Sequence, residues 1–394
     1  MSQQPYIYLD HAASTPVAPK VVQAMLPYFS DIYGNPSGLH KQGRAGRRAV
    51  EEARRQIAGL LNCTPKEIVF TSGGSEADNM AIRGVAWAQK FAGRGTHIIT
   101  SPIEHGAVGK TIAQLADKFG FAQTRVPVDR YGMVKPADVD AAIRPDTILI
   151  SIMAANNEVG TLQPIAQIGA IARERGVPFH TDSVQAVGTI PLDTQQIAVD
   201  MLAFSAHKFY GPKGVGLLYL RRGTPFVPHS TGGGHEGGRR PGTENVPYIV
   251  GLATALKLAL ETAPETTPRL TGLRDRLIQG VLEAIPGAHL TGHPTQRLPN
   301  SASFVFEDCD ATTLLMHLDM LGIGAASGSA CDTGMPEPSG VLLAMGVGYH
   351  LALGALRLTL GKGTTEAEID FVLEKLPQVV QTVRRLQQAQ QLPA

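Results

Sequence analysis

The sequence predicts an α/β fold: a mostly parallel, seven-stranded-type sheet with helices on both faces, joined to a smaller α+β domain. Between residues 68 and 220, short β-branched segments alternate with longer amphipathic ones, an order that produces parallel strands connected by helices. The strand segments are almost entirely apolar, as expected of strands covered on both faces. After residue 246 long helical patterns dominate, which indicates the second, smaller unit.

The first unit is predicted from its apolar segments and the turn residues between them. Its strands are expected at 68–70, 97–100, 147–152, 178–181, 201–204 and 214–220. Between several of these strands, apolar residues recur at helical spacing in EADNMAIRGVAWAQKF, AVGKTIAQLADKF and PIAQIGAIARER. Two further helices are expected near 18–29 and 40–61.

The second unit begins with two helical patterns, at roughly 246–263 and 267–285. There follow SASFVF, a helix from Ala311, GIGAAS, the strand RLTLG and a closing helix through Arg385. A chain of 394 residues is long for one core, which favours two domains. We expect a large domain over residues 15–260 and a small domain formed by residues 1–14 and 261–394.

Charge balance and cysteine spacing exclude several classes of protein. Lys and Arg number 35 and Asp and Glu number 34, so no excess of positive charge favours nucleic acid or a membrane surface. The three cysteines are widely spaced, which disfavours a disulfide framework or a structural zinc site. The N-terminus lacks a signal-peptide pattern, and the apolar stretch at 148–155 is too short to span a bilayer. We expect a soluble, cytoplasmic protein.

The stretch TSGGSEADN (71–79) follows a predicted strand and opens a predicted helix. Ser75 is the predicted N-cap, and Asp78 completes a capping-box pattern. The glycines before the cap let backbone N–H groups converge, and a helix N-terminus there attracts a phosphate. The alternative is an ordinary capped helix without a ligand.

Lys208 lies in FSAHKFYGPKG, directly after an apolar strand. Strand ends are where α/β proteins place their sites, and a lysine there can form a Schiff base with a carbonyl-bearing cofactor. Ser205 and His207 add donors for a nearby phosphate. The alternative is a surface lysine without a function. The apolar strand before Lys208 and the tight GPKG turn after it argue against this alternative.

Other polar residues follow neighbouring strands. Asp182 can hold a pyridine nitrogen protonated, and Gln185 can donate to a ring oxygen. His105 can stack on an aromatic cofactor, and Asn157 can form a hydrogen bond with a cofactor oxygen or with a substrate. Singly, each has a structural alternative: a helix cap, a structural histidine or a turn-forming asparagine. Together these groups match what pyridoxal 5′-phosphate (PLP) requires.

Cys331 stands alone among small and polar residues in ASGSACDTG (326–334). Nothing in that stretch packs around a buried thiol. The carboxylate of Asp332 is expected to raise the pKa of the neighbouring thiol. Cys63 and Cys309 match no catalytic motif; we interpret Cys63 as a small residue near a helix end and Cys309 as a loop residue.

The chain closely resembles the cysteine desulfurases of the NifS/IscS-like class, within fold type I of the PLP enzymes (the aspartate aminotransferase family). The resemblance runs nearly end to end and includes YLDHAASTP, GNPSGLH, FTSGGSEADN, IEHGAV, NNEVG, HTDSVQ, FSAHKFYGPKG, GGGHEGGRRPGTENV, SGSAC and RLTLG. So many motifs in order make the match specific. One departure is His11, where many relatives have Asn; it is expected to alter a contact near the substrate.

The resemblance implies roles for particular residues. Cys331, Lys208 and His105 would be catalytic. The cofactor would be held by Gly74, Ser75, His105, Asn157, Asp182, Gln185, Ser205, His207 and Lys208, and by Thr243 from the neighbouring subunit of a homodimer. The substrate would be bound by Arg357, whose planar guanidinium suits a carboxylate, and by Asn157 and Asn35.

The implied reaction removes sulfur from L-cysteine, giving L-alanine and a persulfide on Cys331. The persulfide would pass to an acceptor such as an iron–sulfur scaffold or a thiolation protein. No intrinsic metal is expected, although Cys331 could ligate a transient iron–sulfur cluster with a partner. The alternatives are a selenocysteine lyase, another lyase or aminotransferase on the same fold, and a non-catalytic scaffold that docks sulfur carriers.

Overall fold

The computed structural model describes residues 6–328 and 337–390. Its strands are β1 (Ile7–Tyr8), β2 (Ile68–Thr71), β3 (His97–Thr100), β4 (Ala122–Arg125), β5 (Thr147–Ser151), β6 (Phe179–Asp182), β7 (Met201–Ser205), β8 (Gly216–Leu220), β9 (Ala288–Leu290), β10 (Ser301–Phe306), β11 (Ile323–Gly324) and β12 (Ala355–Thr359). Its helices are α1 (Pro19–Met25), α2 (Pro27–Ser30), α3 (Lys41–Leu60), α4 (Gly74–Phe91), α5 (Gly106–Phe119), α6 (Pro136–Ala142), α7 (Ile165–Arg175), α8 (Val246–Ala284), α9 (Ala311–Met320), α10 (Gly340–Ala344), α11 (Tyr349–Leu353) and α12 (Glu366–Gln390).

A seven-stranded sheet forms the centre of the large unit, in the order β2-β8-β7-β6-β5-β3-β4. Strands β7, β6, β5, β3 and β4 are parallel, and β8 runs antiparallel to both of its neighbours. This confirms the predicted α/β class and the mostly parallel sheet. The sequence did not predict β4, because its residues AQTR lie at the sheet edge, are partly exposed and lack an apolar pattern.

Helices cover both faces of this sheet. Alternate strand residues such as Val69, Ile98 and Leu218 pack with α4 and α5. The residues between them, such as Phe70 and Leu217, pack on the other side with α1, α3, α7 and α8. This period-two alternation follows from the pleat of a strand and explains why the strands read as continuously apolar.

A second core belongs to the C-terminal part of the chain. There β12, β10 and β9 form an antiparallel sheet, and β1 pairs in parallel with β11. Ile7 and Leu9 join this core together with residues of α8, α9 and α12. The N-terminal strand therefore packs with the end of the chain, while the predicted domain boundaries stay a prediction.

Helix α8 is one continuous helix of 39 residues, so the prediction of two helices was wrong. The split was placed where Pro264 and Pro268 lower helix propensity, but both residues lie inside the helix. Among the described helices, α8 meets the length and composition expected of a membrane span; core helices of water-soluble proteins also meet them. Its residues contribute to both buried cores, since Leu252 packs in the first and Leu277 in the second.

Candidate active site

The candidate site is a cleft of about 820 Å³ beyond the carboxyl ends of β5, β6 and β7. That is where open α/β sheets bind ligands, and the volume suits a small cofactor with its substrate. The cleft is lined by Asp10, Ala12, Ala13, Glu104, His105, Gly106, Lys110, Asn157, Glu158, Gln185, Lys208, Thr312, Leu315, Met316, Ala325, Ala326, Ser327, Gly328 and Arg357.

Lys208 reaches this cleft from a single 3-10 turn, Ala206–Lys208, that follows β7. Its Nζ donates to the backbone oxygens of Ala12 at 2.6 Å and Ala13 at 2.8 Å. Burial, helped by the positive charge of Arg357, lowers the pKa of Lys208 to about 8. A substantial fraction of the amine is therefore neutral near pH 7–8, the form that attacks a carbonyl group.

Asp182 ends β6 and is buried. Its Oδ1 accepts a hydrogen bond from the backbone N–H of Val184 at 2.9 Å. Burial and the neighbouring Asp78 raise the pKa of Asp182 to about 7. A cationic group beside this carboxyl would favour its ionised form, which is the arrangement expected for a protonated pyridine nitrogen.

His105 caps the N-terminus of α5. Its Nδ1 accepts a hydrogen bond from the N–H of Ala107 at 3.1 Å, so the neutral ring carries its proton on Nε2. The ring is exposed and lines the cleft, as the predicted stacking role requires.

Gln185 also lines the cleft. Its Nε2 donates to the backbone oxygen of Ala12 at 3.0 Å, the same oxygen that accepts from Lys208. The segment around Ala12 therefore links the lysine and the amide, and both predicted cofactor residues face one space.

Arg357 is placed by β12 and is 6% exposed. Its Nη2 donates to Asp10 Oδ1 at 2.8 Å, and its Nη1 donates to the backbone oxygen of Asn157 at 2.8 Å. Its Nε is buried and has no hydrogen-bond partner among the residues that the structure describes. A buried, unpaired guanidinium donor at the cleft suits the predicted binding of a carboxylate.

The N-terminus of α4 lies beside Ser205: a Cβ added at Gly74 would stand 3.7 Å from Ser205 Cβ. The predicted cap is wrong, because the N-cap residue is Gly73, and Ser75 and Asp78 lie inside the helix. The early glycines let the helix begin against the sheet without a side chain at the turn. Ser75 remains in the first turn and exposed, and Asp78 points into the core instead.

His207 precedes Lys208, and its Nδ1 lies 3.3 Å from Ser14 Oγ. Burial and the charge of Lys208 lower the pKa of His207 to about 4. The ring is therefore neutral at physiological pH and offers hydrogen bonds rather than charge to an anion.

Some predicted site residues are not brought to this cleft within one chain. Asn35 is exposed, and its Oδ1 accepts from the N–H of Ser37 at 2.9 Å. Thr243 is exposed and lines a separate hollow with Ser72 and Arg240. Cys331 and Asp332 lie outside the described residues.

His11 is not among the residues that line the cleft. Its ring lies edge-on to Tyr8, with 4.9 Å between ring centroids, and near Tyr210. A Cβ on Gly361 would come within 2.2 Å of His11 Nε2, so the ring fills the space that this glycine leaves. The ring therefore packs against neighbouring aromatic side chains, and an effect of His11 on a contact near the substrate stays a prediction.

Two carboxylates that line the cleft, Glu104 and Asp10, were not identified from the sequence. Glu104 Oε1 accepts from Ser101 Oγ at 2.5 Å and from the N–H of Met153 at 3.1 Å. Its Oε2 is buried and has no partner within residues 6–328 and 337–390. Burial raises the pKa of Glu104 to about 8. Glu104 adjoins His105 and Asp10 adjoins His11 in the quoted motifs. The burial of the Glu104 carboxyl and the ion pair of Asp10 with Arg357 cannot be predicted from that spacing.

The chain belongs to the aminotransferase class-V family, whose profile matches residues 7–372. It is 50% identical over 380 residues to the cysteine desulfurase IscS of Methanosarcina thermophila, covering 96% of this chain and 93% of the relative. It is 46% identical over 380 residues to the cysteine desulfurase IscS of Dictyoglomus turgidum, covering 96% of each.

Solved structures agree with this membership. A NifS-like protein superposes with a TM-score of 0.89 at 39% identity, covering 96% of this chain and all of the other. A structure described as SspA in complex with cysteine superposes with a TM-score of 0.80 at 36% identity, covering 91% and 100%. The predicted NifS/IscS-like resemblance and the fold type are confirmed.

Proposed function

We propose that the chain is a PLP-dependent cysteine desulfurase that removes sulfur from L-cysteine. The observation that carries the proposal is one cleft whose lining brings together the Lys208 amine, His105 and Arg357. The charge of Lys208 also acts on the buried Asp182, which ends β6. Relatives at 46–50% identity over 96% of the chain bear the name cysteine desulfurase. The substrate is L-cysteine and the first product is L-alanine.

The residues fit PLP by the chemistry of their groups. Lys208 offers an amine whose lowered pKa suits attachment to an aldehyde, and Asp182 offers a buried carboxyl for the ring nitrogen. The α4 N-terminus, Ser205 and His207 offer donors for the phosphate. When bound, PLP supplies an electron sink that makes the Cα proton of an amino acid removable.

The chain's own residues would bind the substrate and move a proton. Arg357 would hold the substrate carboxylate through its remaining donors, while Asp10 fixes the guanidinium. Lys208 Nζ in its neutral form would take the Cα proton. The backbone oxygens of Ala12 and Ala13 would then accept hydrogen bonds from the ammonium.

Cys331 is proposed as the sulfur acceptor. Its thiolate would form an S–S bond to the substrate sulfur as the Cβ–S bond breaks, and Cβ would take up a proton to give L-alanine. L-cysteine and one thiol thus become L-alanine and one persulfide, without any added oxidant. A homodimer, a cytoplasmic location and transfer to an iron–sulfur scaffold or thiolation protein complete the proposal.

The test is mass spectrometry of the protein after incubation with L-cysteine. We expect one added sulfur on Cys331, and Cys331→Ala should lose the addition while keeping the visible absorbance of bound PLP. Burial raises the pKa of Cys63 to about 12 and of Cys309 to about 11, so these thiols are poor nucleophiles. Sulfur on either of them would overturn the assignment. Selenium release from selenocysteine by both the wild type and Cys331→Ala, with no sulfur removed from cysteine by the wild type, would favour the selenocysteine lyase instead.

A further inference from the structure

A polar layer lies directly beneath Asp182, between the sheet and α4. His180 and Asp182 are two residues apart on β6, so their side chains project from the same face. Ser151 on β5 is the register partner of His180. Asp78 belongs to the buried residues of α4, the helix that packs on this face. His180 lies two residues before Asp182 on β6, so this layer is farther from the carboxyl end of the strand than Asp182 is.

The contacts within this layer are specific. His180 Nδ1 lies 2.9 Å from Ser151 Oγ. His180 Nε2 lies 3.4 Å from Asp78 Oδ1, and the side chains are 0% and 1% exposed. Each of these two atoms lacks any other hydrogen-bond partner among the described residues. Two complementary, buried and otherwise unsatisfied atoms thus face each other.

Burial favours the neutral form of both groups. Burial raises the pKa of Asp78 well above its usual value and lowers the pKa of His180 to about 4. One arrangement of protons then pairs Asp78 Oδ1 and both ring nitrogens of His180. Asp78 Oδ1–H donates to His180 Nε2, and His180 Nδ1–H donates to Ser151 Oγ.

We propose that Asp78 is a positioning residue of the cofactor site: as a carboxylic acid it holds the His180 ring one layer below Asp182 and keeps that layer free of net charge. Asp182 then carries the negative charge opposite the ring nitrogen. The inference rests on the proposed function in taking Asp182 as the partner of that nitrogen. This positioning role differs from the helix-capping role that the sequence predicted for Asp78.

The electrostatic surroundings of Asp182 explain why a neutral Asp78 matters. The titratable groups that act on Asp182 are Asp78 from α4, His180 from β6, Glu104 from the β3–α5 loop, His105 at the start of α5 and Lys208 after β7. An ionised Asp78 would raise the pKa of Asp182. Protonating Asp78 removes this repulsion, because like charges at close range disfavour ionisation.

The first measurement is nitrogen NMR of histidine-labelled apoprotein. Wild-type His180 should be neutral with its proton on Nδ1 from about pH 6 to pH 9, and Asp78→Asn should preserve this tautomer because an amide also donates. Asp78→Leu should abolish it. His97 is the internal control, since both its ring nitrogens lie 2.8 Å from threonine hydroxyls, and Thr147→Val should shift His97 alone. A protonated His180 ring at neutral pH would overturn the proposal.

The second measurement is the pH dependence of the visible absorbance of bound PLP. Asp78→Asn should move its midpoint by less than about 0.3 pH unit, because a neutral acid is replaced by a neutral amide. Asp78→Leu should weaken PLP binding about tenfold or more, since a buried acceptor is left unpaired. A midpoint shift of more than about one unit in Asp78→Asn would show a charged Asp78 and refute the idea.

These readouts separate the two proposals. Wild-type protein without desulfurase activity but with the expected His180 tautomer would refute the proposed function and support the role of Asp78. Active enzyme with a charged His180 would refute the role of Asp78 alone.

Discussion

Lys208 becomes reactive through its surroundings. Burial and the charge of Arg357 lower its pKa to about 8, and two backbone oxygens hold its Nζ in the cleft. A lysine amine reacts with an aldehyde only when deprotonated, so a lowered pKa extends the reactive range downward in pH.

We therefore expect aldehyde labelling of apoprotein Lys208 to rise with pH and to reach half its maximum near pH 8. The measurement is borohydride trapping followed by peptide mass spectrometry. Exposed Lys213, quantified in the same digest, controls for the pH dependence of the reagent. Labelling that reaches half its maximum only above about pH 10, the ordinary lysine range, would contradict the lowered pKa.

Arg357 is expected to act on substrate binding. Arg357→Lys keeps the charge but loses the planar fork, so the KM for L-cysteine should rise about tenfold to a hundredfold with PLP absorbance unchanged. Steady-state alanine formation measures this. The matched control is Arg175→Lys, an exposed arginine paired with Asp140 at 2.9 Å. An unchanged KM with a reduced kcat would argue against carboxylate binding by Arg357.

At the scale of elements, the start of α4 packs closely against the loop that follows β6. A Cβ on Gly74 would come within 2.6 Å of Val184 Cγ2, which follows Asp182 by two residues. Because the contact is at the first helical residue, it couples the helix N-terminus to the loop after β6. The start of α4 and the loop that follows Asp182 are thus packed closely together.

Gly74→Ala should therefore displace α4 or the Val184 loop and weaken PLP binding by about tenfold, the cost of about 1.4 kcal/mol expected for modest overpacking. Equilibrium titration of apoprotein with PLP measures the change. Gly59→Ala in α3 is the control, because its added Cβ meets nothing within 4 Å and should leave PLP binding unaltered. If Gly74→Ala and the wild type bind PLP with equal affinity, the Val184 side chain moves aside at little cost and the prediction is wrong.

At the scale of the whole molecule, the predicted role of Thr243 needs a second copy of the chain. Thr243 is exposed and does not line the cleft that holds Lys208. We expect subunits of Lys208→Ala and Thr243→Asp, each inactive alone, to recover activity when mixed. In the mixed dimer, one site combines an intact Lys208 with an intact Thr243 of the other subunit.

The expected recovery is about a quarter of wild-type specific activity, because half the dimers are mixed and each has one intact site. Alanine formation before and after subunit exchange measures it. Mixing Lys208→Ala with Lys208→Ala is the control. No recovery, despite subunit exchange shown by differential labelling, would contradict a site shared between subunits.

The sequence predicted most of the large sheet because its central strands are apolar on both faces and end in turns. Strands β3, β5 and β7 lie within one residue of the predicted positions. It missed β4, whose edge position needs no apolar pattern, and it divided α8 at prolines that tertiary packing keeps inside one helix. Prediction from local helix and strand propensity was wrong where packing against neighbouring elements outweighed that propensity.

Much of the site was also predicted, since Lys208, Asp182, His105, Gln185, Asn157 and Arg357 occur in motifs of a familiar type. The geometry places all of these near one cleft, although their roles stay predictions. Glu104, Asp10 and Asp78 were missed or misassigned, because their significance lies in burial and pairing. Asp78 matched a capping pattern in sequence, yet it faces His180 on the sheet.

The sequence by itself determined the fold class, the enzyme family and the residue types available for the chemistry, because strand patterning and motif order are local properties of the chain. Only the tertiary structure decided which charges those residues carry. Desolvation and neighbouring charges depend on residues far apart in sequence, as the action of Arg357 on Lys208 shows.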